Sequence, residues 1–365
     1  MNQQSSSRQT PISVPRRPNG SLRLIAEKAG VTKATASRVL NNRYNGFSVR
    51  PEVKRRILEA AVEIGYAPDL VARGLRAERM NLVGAVGLQP PYVVVNDVFL
   101  AIVDVLSREG VHLSLHLAPS AEAADRPPPW RVDGLFVIST ESAELIKPID
   151  ASGLPYVTLN APSGPNGAAV LFDDEQGTRL AMQHLADLGH RRIAYANADA
   201  PGHYSLRLRH RSYAAFMEGL GAPVVPVPGF CEGDDPVGFL RAIRAAGATA
   251  VLTYYHHAAI RLSHAAFQLG LRVPRDLSIV CFNNAYGTES MNPALTAVAL
   301  PYAEAGAAAA EMLLALIRGE TLPARERIFP ESLVVRESSG PVGPSPARAG
   351  RPPRSISRPK TSRPT

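Results

Sequence analysis

Cysteine, tryptophan and long apolar runs are the scarcest features of this sequence. Its 365 residues hold two cysteines, Cys231 and Cys281, and one tryptophan, Trp130. Two thiols supply no disulfide framework. Cys281, inside the apolar run "LSIVCF", is expected to be a buried thiol, which suits a reducing cytoplasm. No eighteen-residue stretch is apolar and free of charge, so no membrane-spanning helix is expected. The start, "MNQQSSSRQTPISVPRRPNG", lacks the apolar core of a secretory signal. Enzyme signatures are missing too: there is no P-loop, no H-E-x-x-H, no G-x-S-x-G and no cysteine pair at metal-ligand spacing. The stretch "YYHHAAIRLSHAAF" does not replace them. His257 and His264 would sit two helical turns apart, about 10 Å, too far to share a metal. The expectation is no catalytic residue, no metal and no cofactor.

Acid is lacking where base is concentrated. Residues 1–80 hold fifteen Lys/Arg against six Asp/Glu, and residues 341–365 hold six Lys/Arg and no acid. The middle, 81–340, is acidic by seven charges, although the whole chain carries +8. Basic ends on an acidic body point to a polyanionic partner at an end. The last stretch, "GPVGPSPARAGRPPRSISRPKTSRPT", mixes Pro, Ser and Arg without periodicity and is expected to be disordered.

The basic N-terminal region also carries helical periodicity. "SLRLIAEKAG" places Leu22, Ile25, Ala26 and Ala29 on one face, with Ser21 as N-cap and Gly30 as breaker. "VTKATASRVLNN" follows at once, with Thr32 as N-cap and Ala36, Val39 and Leu40 on its apolar face. "PEVKRRILEAAVEIGY" opens on Pro51 and aligns Val53, Ile57, Ala60, Ala61 and Ile64. Two short helices broken at a glycine, closed by a third, form a helix-turn-helix pattern. The second helix leaves Lys33, Ala34, Ser37, Arg38 and Asn41 outward with no acid among them. Short Ala34 and Ser37 let the backbone approach base edges, Arg38 can fork onto guanine, and Lys33 can meet phosphate.

These residues bring a family into view. "LRLIAEKAGVTKATASRVLNN" and "VRPEVKRRILEAAVEIGYAPDLVARGLRAER" resemble the headpiece of the lactose-repressor/galactose-repressor (LacI/GalR) family. The shared features are I-A-x-x-A-G-V, the S-R-V-L-N run, and G-Y-x-P-x-x-x-A-R-x-L from Gly65 to Leu75. Several uncommon elements in order over about sixty residues exceed a generic helix-turn-helix. "NNRYNGFS" is longer than the family's usual loop, and Gly74 interrupts its hinge. The hinge "PDLVARGLRAER" is too short to hold a helix alone, and Gly74 costs about a further 1 kcal/mol against Ala. The resemblance implies that the hinge folds on DNA and inserts Leu75 into the minor groove beside Ala72 and Arg73. The implied DNA contacts are Thr32, Lys33, Ala34, Thr35, Ser37, Arg38, Asn41, Ala72, Arg73 and Leu75.

From Asn81 on, apolar strand runs alternate with helical periodicity. Repeated βα units over about 255 residues predict parallel sheets covered by helices, in two lobes. That these sheets are doubly wound is what the resemblance implies. "RIFPESLVV" reads as one strand. The resemblance implies two periplasmic-binding-protein-like lobes, crossed three times by the chain, with an effector cleft between them. "SAEAADRPPPWRVDG" departs from that pattern, because three prolines forbid most of a helix that the family places there. The expected division is a basic arm (1–20), the headpiece (21–68), a hinge (69–80), an effector and dimerisation domain (81–338), and a basic tail (339–365). Lobe 1 is expected at about 81–163 plus 300–320, and lobe 2 at about 164–299 plus 322–338.

The cleft motifs depart from the family. Its N-D-x-x-A reads Tyr255-His256-His257-Ala258-Ala259 here, and its G-[FY]-D-D reads Cys281-Phe282-Asn283-Asn284, so both sugar-clasping aspartates are replaced. Ser205 and Arg209 keep an S-x-x-x-R pattern, although Ser212 replaces a glycine beyond it. The candidate effector contacts are Tyr92, Ser205, Arg209, Tyr255, His256 and Asn283. An anionic or acceptor-rich effector would suit Arg209 and a protonated His256. The alternative is that Arg209 pairs with Asp173 or Asp174. The function expected is a cytoplasmic, effector-controlled repressor, dimeric on a pseudo-palindromic DNA operator; the alternative is a solute-binding receptor with a vestigial headpiece.

Overall fold

The structure is a computed structural model describing residues 22–40, 47–66, 79–88, 95–118, 131–138, 143–197, 204–226, 229–230 and 233–343. The chain divides into two units, Met1–Met80 and Asn81–Thr365.

The first unit holds α1 (Leu22–Ala29), α2 (Lys33–Leu40) and α3 (Pro51–Glu63). Gly30 ends α1 at φ +62°, and the Val31 N–H closes the turn on the Ala26 carbonyl at 2.9 Å. Thr32 Oγ1 accepts the Thr35 N–H at 3.2 Å, capping α2. Pro51 opens α3, where its missing N–H leaves nothing unpaired. Ile25, Ala26, Ala29, Ala36, Val39, Ile57, Ala60 and Ala61 form the core. Small alanines let three short helices meet closely around two isoleucines.

The second unit has two lobes. Lobe 1 begins with β1 (Leu82–Leu88), α4 (Val95–Arg108), β2 (His112–Ala118), β3 (Gly134–Ile138), α5 (Ala143–Ala151), β4 (Tyr156–Leu159) and β5 (Ala168–Phe172). The chain then builds lobe 2 from α6 (Asp174–Asp187), β6 (Ile193–Ala196), α7 (Tyr204–Gly219), α8 (Pro236–Ala245), β7 (Ala250–Thr253), α9 (His256–Gln268), β8 (Ser278–Phe282) and β9 (Thr296–Ala299). It returns to lobe 1 for α10 (Tyr302–Arg318) and β10 (Glu326–Phe329), and crosses again to β11 (Ser332–Val334). The sheet orders are β10-β5-β4-β3-β1-β2 and β11-β9-β8-β7-β6. All pairings are parallel except that of β11 with β9. "GLFVI", "AAVLF" and "SIVCF" are buried throughout, as strands covered on both faces must be.

The lobes divide differently from the expectation. β5 pairs with β4, so residues 168–172 belong to lobe 1, and the first crossing comes at Asp173 rather than at 164. "RIFPESLVV" is two strands in two sheets: Pro330 and Glu331 interrupt it and carry the chain across. Residues 339–343 are not tail. The Gly340 N–H donates to Ser278 Oγ at 3.1 Å and the Val342 N–H to the Leu188 carbonyl at 3.0 Å. Buried His190 anchors this segment, with Nε2 3.0 Å from the Gly340 carbonyl and Nδ1 2.8 Å from Thr249 Oγ1. The expected arm, most of the hinge including Gly74, and the tail beyond 343 lie outside the described residues, as do Ser21 and the proline-rich segment with Trp130.

Candidate functional sites: a DNA-reading helix and an interlobe cleft

On α2 the apolar side is committed to the headpiece core and the other side is not. Thr32, Lys33 and Ala34 are exposed, while Thr35, Ser37 and Arg38 are half-buried. The Thr35 hydroxyl lies 2.9 Å from that of Thr32, which also accepts the Thr35 N–H. The helix contains no acid, and the Arg38 guanidinium lies over the Phe47 ring, 4.4 Å from its centroid. Phe47 was not among the expected contacts; it sits in the lengthened loop that the sequence marks. Asn41, Ala72, Arg73 and Leu75 lie outside the described residues.

In the second unit, polar side chains gather where strands of lobe 2 end and the chain crosses, the end of a doubly wound sheet at which ligands bind. Arg209, on the second turn of α7, is 2% exposed. Its Nε donates to Asp174 Oδ1 at 2.5 Å and its Nη1 to the Tyr254 carbonyl at 2.9 Å. The guanidinium lies 3.8 Å from the Phe282 centroid. Glu331, on the last crossing, stands 3.9 Å from Nη2, too far for a hydrogen bond. Asp174 therefore takes the cation, and burial pushes the Glu331 carboxyl up to about 9 despite the attraction of Arg209. Cys281 is buried as expected, its thiol pushed up to about 12 by burial.

Side-chain hydrogen bonds join the lobes at two places among the described residues. Ser205 Oγ, on α7, donates to Asn160 Oδ1 beyond β4 at 2.9 Å. Tyr302 Oη, opening α10, donates to Asn283 Oδ1 beyond β8 at 3.0 Å. Asn160 and Asn283 both adopt left-handed backbone, φ +58° and +69°, a conformation asparagine tolerates better than most residues. His256, at the N-terminus of α9, is 7% exposed; burial, and then the neighbouring His257, lower it to about 4.

Of the expected effector residues, those described lie about the lobe 2 strand ends, and several already have partners within the chain. Arg209 is already paired with Asp174, the alternative left open above. Burial, and then His257, disfavour the His256 cation, so the ring is neutral near neutral pH in the empty site. Ser205 and Asn283 are engaged between lobes, Tyr255 stands at the position before α9 without a side-chain cap and is 7% exposed, and Tyr92 lies outside the described residues. Sequence reasoning missed Glu331, Asn160, Tyr302 and Asn197, which follows β6 and whose buried Oδ1 has no hydrogen-bond partner among the described residues. Pro330 inside an apparent strand was the available signal for Glu331.

A helix-turn-helix headpiece followed by two parallel-sheet lobes with a polar cleft defines an effector-responsive DNA-binding regulator. The chain belongs to the LacI family of bacterial regulatory proteins. Residues 21–69 match "Bacterial regulatory proteins, lacI family", and residues 182–339 match "Periplasmic binding protein-like domain". The HTH-type transcriptional regulator MalR of Streptomyces coelicolor is 30% identical over 354 residues, covering 90% of this chain and 98% of that protein. Catabolite control protein A of Priestia megaterium is 26% identical, covering 86% and 98%. Among solved structures, the Lac repressor dimer bound to operator and the anti-inducer ONPF aligns at TM-score 0.74 and 24% identity, over 88% of this chain and 99% of that one. A CelR–cellobiose complex aligns at TM-score 0.64 and 25% identity, over 88% and 100%. The chain is a DNA-binding transcription regulator with an effector-binding domain, and a solute receptor with a vestigial headpiece is not favoured.

Proposed function

We propose that this regulator is a cytoplasmic repressor without enzymatic activity, binding a pseudo-palindromic operator as a homodimer, and that its effector is a small neutral molecule rich in hydroxyl or N–H donors. The observation that carries the effector class is a site whose buried arginine is already paired with Asp174 and whose unpartnered buried groups include acceptors. Beside them is a Glu331 carboxyl that burial keeps protonated, able to give one hydrogen bond and accept another. Asp174 Oδ2 and Asn197 Oδ1 are buried and have no hydrogen-bond partner among the described residues, nor does Nδ1 of neutral His256. A buried acceptor without a donor costs about 1–3 kcal/mol, and a polyhydroxylated ligand supplies donors. An anion would meet Asp174, and the buried arginine beside it is already paired. Among the described residues no helix is long and apolar enough to cross a membrane. Dimerisation is supported by apolar groups left exposed on one chain: Leu100 (66%) and Val103 (42%) on α4, and Leu115 (53%) on the edge strand β2.

A thermal-shift screen of neutral polyols, sugars and nucleosides beside organic acids and phosphates tests the effector class, with each hit carried into gel shift on the selected operator. The expected result is a neutral, donor-rich compound that raises Tm and alters operator affinity. Hits confined to anions would overturn it.

A further inference from the structure

Phe47 is an exposed aromatic outside the headpiece core. It keeps 61% of its surface in water, and it is absent from the cluster formed around Ile25 and Ile57. Its described aromatic contact is with Arg38, whose Cζ lies over the ring at 4.4 Å, inside the range of an attractive cation–ring contact. The headpiece ion pairs among the described residues use Arg23, Lys28 and Arg55 rather than Arg38.

That combination matters for a residue meant to read DNA. A carboxylate partner would hold an arginine by occupying its N–H groups. An aromatic face holds it from above and leaves the in-plane N–H fork available for the O6 and N7 of guanine. The arginine side chain has many rotamers, and binding must freeze one. A ring already in contact removes part of that cost before DNA arrives.

We propose that Phe47 is a positioning residue for Arg38: its ring holds the guanidinium ready to contact a base and so sets specificity at one position of each half-site. The proposal rests on the reading of Arg38 as a base contact.

The test uses the full chain and an operator selected by it from a random pool, with each half-site position then substituted singly. Specific and nonspecific affinities are measured for Arg38→Ala, Phe47→Ala, Phe47→Leu, Phe47→Tyr and the Arg38→Ala/Phe47→Ala double variant. Unchanged Tm and far-UV dichroism establish that each variant is folded. Phe47→Ala is expected to lose about 2- to 10-fold in discrimination at the position Arg38 reads, with nonspecific affinity little changed. Phe47→Tyr should restore it and Phe47→Leu should not, since leucine offers bulk without a ring face. In the Arg38→Ala background, removing the ring should cost no further discrimination.

If Arg38→Ala lowers specific and nonspecific affinity equally, the base-contact reading fails and the proposal falls with it. If Arg38→Ala loses discrimination while Phe47→Ala or Phe47→Leu keeps it, the positioning role alone is overturned. Losses that add in the double variant would also overturn it, by showing that Phe47 meets DNA independently. Should Phe47→Ala fail to fold, the comparison of Phe47→Leu with Phe47→Tyr decides the question.

Discussion

Arg209, Asp174 and Glu331 place two acids around one buried cation, and the acids are not equivalent. Asp174 holds Nε at 2.5 Å, whereas Glu331 stands at 3.9 Å with neither oxygen hydrogen-bonded among the described residues. Glu331 is therefore raised to about 9, and His256 nearby on the cleft is lowered to about 4. These shifts give stability two opposite slopes. Glu331 keeps its proton in the folded chain at pH values where the unfolded chain has released it. Its contribution is full below about 4.5 and is lost as pH rises toward about 9. His256 stays neutral when folded, so its contribution is full above about 6.5 and is lost as pH falls toward about 4. Thermal melts across pH should show Glu331→Gln flattening the alkaline side and leaving the acid side unchanged. Asp174→Asn should destabilise by about 3–5 kcal/mol at neutral pH, because it removes the acid that neutralises Arg209. Equal, small losses in both variants would mean that the acids share the cation. None of this was legible in sequence beyond the open choice between an effector and an acidic partner. Asp174 and Arg209 are thirty-five positions apart, and only the packing of α6 on α7 brings them together.

At the scale of elements, legibility followed locality. The headpiece helices could be read from periodicity, a glycine and a proline because each helix carries its own apolar face and its own start or stop residue, although the core joins positions as far apart as Ile25 and Ile57. β9 and α5 could not: "TAVA" is four residues with little apolar bulk, and α5 contains Pro148. The split of β10 from β11 was hidden because two strands of different sheets abut with only Pro330 and Glu331 between them. Close element packing yields its own prediction. A Cβ on Gly306 of α10 would fall 2.5 Å from the Val98 carbonyl oxygen and 3.1 Å from Ala101 Cβ on α4. Gly306→Ala should push the two helices apart and destabilise by about 1–3 kcal/mol. A Cβ at Gly219 meets nothing within 4 Å, so Gly219→Ala should stay within about 0.5 kcal/mol of wild type. Denaturant melts of the two variants side by side check the contrast; similar midpoints would show that α10 and α4 have room to spare.

For the whole molecule, assembly is the property most open to test. Leu100 and Val103 stand three residues apart on α4, and Leu115 lies on the neighbouring edge strand, so an apolar strip and an unpaired strand edge occur together. Leu100→Glu should weaken self-association at least about tenfold, since a buried carboxylate opposite an apolar partner has no counter-charge. Operator affinity should fall with it, because one headpiece reaches one half-site. Sedimentation velocity over a concentration series reads the first effect and gel shift the second; an unaltered dimer would place the interface elsewhere.

The triple crossing of the chain also governs how this protein is made. Translation delivers lobe 1 first, yet β10 reaches it only after the whole of lobe 2 has been synthesised, and β11 and the residues that His190 anchors come later still. Neither sheet can be completed in the order in which it is written. A ribosome that stopped at Glu320 would release a chain with β5 and β9 both bare at their edges, two templates for aggregation rather than one finished lobe and one lost. Completion of both sheets is thereby tied to residues 326–334, so a chain cut before them should lose cooperative folding of both lobes rather than of one.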